Sequence, residues 1–313
     1  MTVDDKPGVD PILLKVLEAV PFRLAVEEGV DEARRRLAEL PRMPVFEEVT
    51  AEDRTVEGPG GPLRVRIYRP PSAPSPAPVV VFFHGGGFAL GDLDTHDGTA
   101  RWHAARADAV VVSVDYRLAP EHPYPAAVED ALAATAWVAG HAAELGVDAG
   151  RLAVAGDSAG GTLAAVVAQQ ARAGRAPAPV FQLLWYPATM WDLTLPAMTE
   201  NAQAPILDAA AIAVFAEWYL GEVDLDRLPA AVAPGRAEDL SGLAPAWIGV
   251  AGHDPLRDDG VRYAERLAAA GVPVQLDRAD TLVHGYVAYA GVVPAATEAT
   301  ERGLRALRAA LHG

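Results

Sequence analysis

A serine flanked by glycines, Gly156-Asp157-Ser158-Ala159-Gly160, stands between an apolar run and an alanine-rich stretch. Leu152 to Ala155 has the length and composition of a short buried strand. Residues 161–173 lack proline and run into Gly174, as a helix would. In that context the G-x-S-x-G pentapeptide turns too sharply for side chains beside the serine backbone, and it lifts the hydroxyl above the end of a sheet. A hydroxyl so placed can attack a carbonyl carbon. It is a weak nucleophile at neutral pH, so three further groups are required. These are an imidazole to accept its proton, a carboxylate to hold that imidazole, and N–H donors for the oxyanion that forms.

The donors are sought in His84-Gly85-Gly86-Gly87, which follows the apolar run Val79 to Phe83. Consecutive glycines leave backbone N–H groups unshielded, and such a loop after the third strand pairs with the N–H of the residue after the serine. The expected oxyanion hole is therefore Gly85, Gly86, Gly87 and Ala159, with His84 bonding inside the loop. For the carboxylate, Asp254 follows the apolar run Trp247 to Ala251, at the sheet edge from which the serine also emerges. Asp258 and Asp259 enter the next helix and are expected to cap it or to pair with Arg257. For the base, the order serine, acid, histidine leaves His284 and His312 after Asp254. His312 is next to the last residue, where chains fray. His284 lies in a loop after the final strand-like run, so Ser158, Asp254 and His284 form the candidate catalytic set. His253 precedes the acid and is read as its neighbour. There is no H-x-x-x-H pattern or carboxylate cluster, so no metal and no cofactor is assigned.

Elements that would hold these groups alternate along the chain. Leu13, Val16, Leu17 and Val20 share one helical face, and a second helical segment runs from Asp31 to Leu40. Leu63 to Tyr68 alternates with period two, which suits a half-exposed edge strand. Short apolar runs at 79–83, 109–114, 152–155, 180–185, 247–251 and 274–276 read as buried strands. Helices are expected near 95–106, 126–145, 161–172, 261–270 and 295–311. Such alternation predicts an α/β fold with a mostly parallel sheet covered on both faces. The proline-rich stretch from Pro70 to Pro78 reads as a rigid surface loop, too short to separate independent domains. Between Tyr186 and Ala246 the alternation stops, and an amphipathic segment appears around Ile212 to Leu220. An insertion there would stand over the serine's edge of the sheet and, with the N-terminal helices, form a helical cap. The expected division is 1–45 and 188–245 as cap segments, with 46–187 and 246–313 as the core.

The 313 residues are 51% apolar, enough for a large buried core, and carry a formal net charge of −16. Such a surface repels phosphate backbones and anionic headgroups, which argues against nucleic acid or a membrane surface as partner. Cysteine is absent, so disulfides and thiolate sites are excluded. The N-terminus lacks a basic segment followed by an apolar one, and no run approaches the roughly 18 apolar residues of a membrane span. A soluble, cytoplasmic protein acting on a small molecule is expected.

His84-Gly85-Gly86-Gly87-Phe88 and Gly156-Asp157-Ser158-Ala159-Gly160-Gly161 together resemble the bacterial hormone-sensitive-lipase family of carboxylesterases, in its GDSAG branch. Matching pieces follow in order: residues 91–97 (GDLDTHD), 115–123 (DYRLAPEHP), 125–130 (PAAVED), 254–258 (DPLRD) and 284–286 (HGY). The resemblance implies an α/β-hydrolase fold with an eight-stranded sheet, a helical cap and hydrolysis of short- to medium-chain acyl esters through an acyl-enzyme intermediate. It also selects Asp254, the aspartate of the D-P-L match, and it allows a monomer or a homodimer joined through the last edge strand. Segment 115–123 is expected to brace the glycine loop without entering the reaction. The cap aromatics Phe22, Trp191, Phe215 and Trp218 are candidates for lining the substrate pocket. With His284 as base, activity should fall as the pH drops through the ordinary imidazole range. Amidases, deacetylases and lactonases can share this machinery. The plant gibberellin receptors share the fold without the catalytic histidine, which is present here as His284.

Overall fold

Strand β3 (Ala77–Phe83) is buried along its whole length, and its side chains feed two separate cores in alternation. Val79, Val81 and Phe83 enter one core, Val80 and Phe82 the other. A pleated strand presents successive side chains to opposite faces, so a continuous apolar run requires cover on both sides. The computed structural model describes residues 7–20, 23–221 and 227–313. Phe22 lies outside them.

The other strands are β1 (Thr50–Gly58), β2 (Gly61–Arg69), β4 (Val110–Asp115), β5 (Val147–Asp157), β6 (Phe181–Trp185), β7 (Ala246–His253) and β8 (Val274–Val283). They form one eight-stranded sheet in the order β1-β2-β4-β3-β5-β6-β7-β8. Only β2 runs against its neighbours; β3 through β8 pair in parallel. Helices α3 (Asp97–Ala107) and α10 (Pro294–His312) cover one face, contributing Trp102, Leu304, Leu307 and Leu311 to its core. Helices α4 (Ala126–Gly140), α6 (Ala159–Arg172) and α9 (Arg257–Ala269) cover the other with Val138, Leu163, Val166 and Leu267.

Three expectations about these elements need correction. Leu63 to Tyr68 lies in β2, which is not the edge; β1 covers it, pairing from Thr50↔Arg69 to Gly58↔Gly61. Val56 is the only buried side chain of β1, so no apolar alternation marks that strand in the sequence. β8 also extends well past Leu276, carried through Asp277, Arg278 and Ala279 by backbone pairing with β7. The helix expected over 126–145 is broken at His141 into α4 and α5 (Ala142–Leu145).

Because β3, β5, β7 and β8 are parallel, their ends reach one edge of the sheet. Phe83 stands beside Gly156, Asp157 beside Trp185, and His253 beside Val283. Helices α1 (Pro11–Ala19) and α2 (Val30–Glu39) precede the sheet. Over residues 186–221 and 227–245 the chain leaves it, carrying α7 (Pro196–Glu200) and α8 (Ala209–Leu220) before β7 begins. Among the described residues, no helix is long and apolar enough to cross a membrane.

The α3 face encloses one polar pair. His103, fully buried, donates from Nδ1 to the Thr99 carbonyl (2.7 Å) and accepts the Trp185 indole N–H at Nε2 (3.0 Å). Both ring nitrogens are therefore satisfied in the neutral form, and burial pushes the imidazole down to about 4. Between about pH 4 and 6.5 the unfolded chain takes up a proton at this histidine that the folded chain refuses, so stability is lost as pH falls through that window. Glutamine can make the same two bonds without titrating. Urea unfolding between pH 4.5 and 6 should therefore show a dependence about 1.4 kcal/mol per pH unit shallower in His103→Gln than in wild type. Equal slopes would contradict the assignment.

Candidate active site

Ser158 sits at the tip of the turn between β5 and α6 with φ +54° and ψ −120°, a conformation non-glycine residues avoid. Its N–H donates to the Trp185 carbonyl (2.8 Å), and its carbonyl accepts from Thr162 N–H (3.1 Å). The flanking glycines are dictated by contact. A Cβ on Gly160 would strike the Phe83 carbonyl, and one on Gly156 would strike Gly160 itself. The turn therefore exists only because α6 lies directly on β3.

His284, in the loop after β8, bridges the other two residues. Its Nε2 is 2.9 Å from Ser158 Oγ and its Nδ1 is 2.8 Å from Asp254 Oδ2. With Nδ1–H donating to the carboxylate, Nε2 is left as the acceptor for the serine hydroxyl. Asp254 also accepts the Leu256 N–H at Oδ1 (2.8 Å), and Asn201 donates to its carbonyl (2.9 Å). Asp254 is fully buried, whereas His284 and Ser158 are 7% and 8% exposed, which leaves access only at the serine end. The Tyr186 ring packs 4.7 Å from the imidazole.

The glycine loop arches beside the hydroxyl. Gly86 has φ +118°, and any side chain there would meet the Leu90 carbonyl; Gly87 has φ +61° and lies against the Phe215 ring. Among the described residues, no acceptor is found for the N–H groups of Gly86 and Gly87. The Ala159 N–H opens α6 and so has no intrahelical acceptor. Gly85 departs from expectation. Its N–H is committed to Asp157 Oδ1 (3.0 Å), so it is not available to a ligand. Burial opposes charge on Asp157, yet His96 at 3.7 Å, with His84 and His284, holds its carboxyl below the usual range.

Segment 115–123 meets this loop from behind. Tyr116 stacks on the His84 ring (4.3 Å) and donates to the His84 carbonyl (2.7 Å), and Ala119 N–H donates to the Phe88 carbonyl (2.9 Å). Arg34 of α2 donates to the carbonyls of both Ala89 and Ala119 (2.9 Å each) and pairs with Glu121 (2.6 Å). His84 itself donates from Nδ1 to the Gly85 carbonyl (2.8 Å), and burial lowers its pKa to about 4.

A family model described as an α/β-hydrolase fold matches residues 80–288. Esterase LipI of Mycobacterium tuberculosis is 66% identical over 314 residues, covering 100% of this chain and 98% of that protein. Carboxylesterase NlhH of the same species is 56% identical over 312 residues, with 98% of each covered. Among solved structures, DphMB1 superposes with a TM-score of 0.94 at 61% identity, covering 98% of this chain and 100% of that one. An esterase from Pyrobaculum calidifontis gives 0.85 at 40% identity, covering 96% and 99%. The chain belongs to the bacterial hormone-sensitive-lipase family of carboxylesterases.

In this family member a cavity of about 1030 Å³ opens onto Ser158 and His284. Trp191 and Phe215 line it, as do Tyr186, Met198, Leu207 and Ile212. Trp218 does not, contrary to expectation; it packs edge-on against Phe215 (5.7 Å) within the helical layer, behind the cavity wall. His253 and His312 lie elsewhere, on the carbonyls of Pro7 and Ala107 (2.9 Å each). Asp258 pairs with Arg257 as expected (2.8 Å). Asp259 does neither of the things expected of it. It is buried at the cavity wall, where its Oδ1 accepts N–H groups from Met190 (2.6 Å) and Trp191 (3.2 Å). Burial pushes its carboxyl up to about 7 despite those bonds, and Asp254 adds to the rise. A carboxylate beside a cation looks the same in sequence, so nothing local marks this one as buried. Among the described residues, no group of His, Asp and Glu is arranged to hold a metal ion.

The contact at Gly160 predicts a severe effect from one methyl group. Gly160→Ala should destabilise the protein by about 3 kcal/mol, since backbone must move to relieve the clash. Thermal unfolding within a degree of wild type would refute this.

Proposed function

We propose that this chain is a serine carboxylesterase that works through a Ser158–His284–Asp254 triad and an acyl-enzyme intermediate. The observation that carries the reading is His284 standing within hydrogen-bond reach of both partners, at 2.9 Å and 2.8 Å. His284 accepts the hydroxyl proton as Ser158 attacks the ester carbonyl, and Asp254 holds the imidazolium that forms. The tetrahedral oxyanion rests on the N–H groups of Gly86, Gly87 and Ala159, which need not reorganise because the loop behind them is fixed. His284 then protonates the departing alcohol, and water repeats the cycle on the acyl-enzyme.

The substrates are esters with short- to medium-chain acyl groups, enclosed by a cap made of residues 1–45 and 188–245 over a core of 46–187 and 246–313. The mixed aromatic and aliphatic lining of the cavity suits apolar groups on the ester. Names of relatives such as Carboxylesterase NlhH support the reaction class.

A fluorophosphonate probe should label the wild type and leave Ser158→Ala unlabelled, and turnover of p-nitrophenyl butyrate should fall by at least about 10⁴-fold in that variant. Residual labelling at another residue would move the nucleophile elsewhere. Gly86→Ala, if folded, should lose on the order of 10²–10³ in kcat as one donor is displaced. A loss confined to KM would remove Gly86 from the oxyanion hole.

A further inference from the structure

Trp191 has φ +52°, in the left-handed region where a bulky residue stays only when its surroundings over-determine it. Its surroundings do so. Its N–H and that of Met190 donate to Asp259, Arg236 donates to its carbonyl (2.8 Å), and its indole N–H donates to the Val232 carbonyl (3.1 Å). Arg236 and Val232 belong to the same excursion from the sheet as Trp191, a segment that Arg266 of α9 also holds through the carbonyls of Gly235 and Ala237. Asp259 does not belong to it; it sits on α9, against the sheet. The Thr189 hydroxyl also donates to the Asp259 carbonyl (2.8 Å), so three consecutive residues are tied to that one position. The indole thus held lines the cavity and stacks with Phe88 (6.2 Å) and Tyr219 (6.4 Å).

We propose that Asp259 is a positioning residue for substrate specificity: it pins the Trp191 turn to α9 and so sets how large an apolar ester group the cavity accepts. This rests on the cavity being the ester site proposed above. The bound group that meets Trp191 is either the acyl chain or the alcohol, and both are apolar surfaces seeking the same wall. A carboxyl group suits this task because one oxygen can accept two successive N–H groups, which fixes the peptide between them. Asp259 touches no reacting atom; it acts through Trp191.

Two substrate series test this. p-Nitrophenyl acetate against octanoate varies the acyl side, and phenyl against naphthyl acetate varies the alcohol side. Asp259→Ala should change the large-to-small ratio of kcat/KM about tenfold in one series. Trp191→Ala should change that same ratio in the same direction, and the double substitution should add nothing beyond Trp191→Ala alone, as coupled residues require. Asp259→Asn keeps an acceptor oxygen and should keep the wild-type ratio. If Asp259→Ala does not fold, Asp259→Val fills the same volume without an acceptor and takes its place. Unchanged ratios in both series, or effects of Asp259 and Trp191 that simply add, would overturn the proposal and leave Asp259 a structural residue. A wild type inactive on every ester would instead overturn the functional reading.

Discussion

The site depends on the contact between the start of α6 and the end of β3. Gly160 lies on the Phe83 carbonyl with no room for a methyl group, and that approach forces the chain at Ser158 into a left-handed conformation. Strain of this kind costs about 1–3 kcal/mol. Burying a single valine contributes a comparable amount, and β3 and β5 together bury several. The strained residue is therefore held by its neighbours, and it cannot relax without pulling a helix from the sheet. The same approach brings the start of α6 and the glycine loop to one edge of the sheet, since both segments emerge from adjacent parallel strands.

A parallel sheet makes this assembly simple to encode. Strands β3, β5, β7 and β8 end on one edge, so residues far apart in the chain converge without special loops. Asp254 and His284 need only follow the ends of neighbouring strands, as His253 beside Val283 makes plain. What the sheet does not supply is rigidity in the glycine loop, which has no secondary structure. That comes from Tyr116, Ala119 and Arg34, which bond the carbonyls of His84, Phe88 and Ala89. Arg34 also fastens α2 to the loop, which joins the N-terminal helices to the wall of the site.

The features legible in the sequence are those encoded by short, local rules. G-x-S-x-G, the glycine triplet and the alternation of apolar runs each reflect a backbone or burial requirement that few residues satisfy. Chain order then narrows the candidate base to His284 and His312, and the place of His312 beside the last residue turns the choice to His284, the one that the fold sets beside Ser158. The illegible features are those set by partners distant in sequence. β1 forms because β2 offers it an edge, although its own residues are mostly polar. Gly85 looks like Gly86 and Gly87 until Asp157, far along the chain, is seen to occupy its N–H. Trp191 and Trp218 are both aromatic residues of the same excursion from the sheet, and only the packing of α8 places one on the cavity and the other behind it.

Two buried aspartates show how environment, not residue type, assigns a role. Asp157 and Asp259 are both withdrawn from water, and burial opposes charge on each. Around Asp157 stand His96, His84 and His284, and their influence keeps the carboxylate charged, so it remains a firm acceptor for Gly85. Around Asp259 the countervailing groups are backbone N–H donors, while the nearby charge, Asp254, repels it. Its ionisation is therefore shifted to about neutral pH, where one more or one fewer donor would change its state. The Trp191 turn needs two N–H groups answered from α9, and a single carboxyl oxygen answers both whether or not the group carries charge. The role of Asp259 thus rests on the reach of that oxygen, whereas the role of Asp157 rests on the charge that the three histidines preserve.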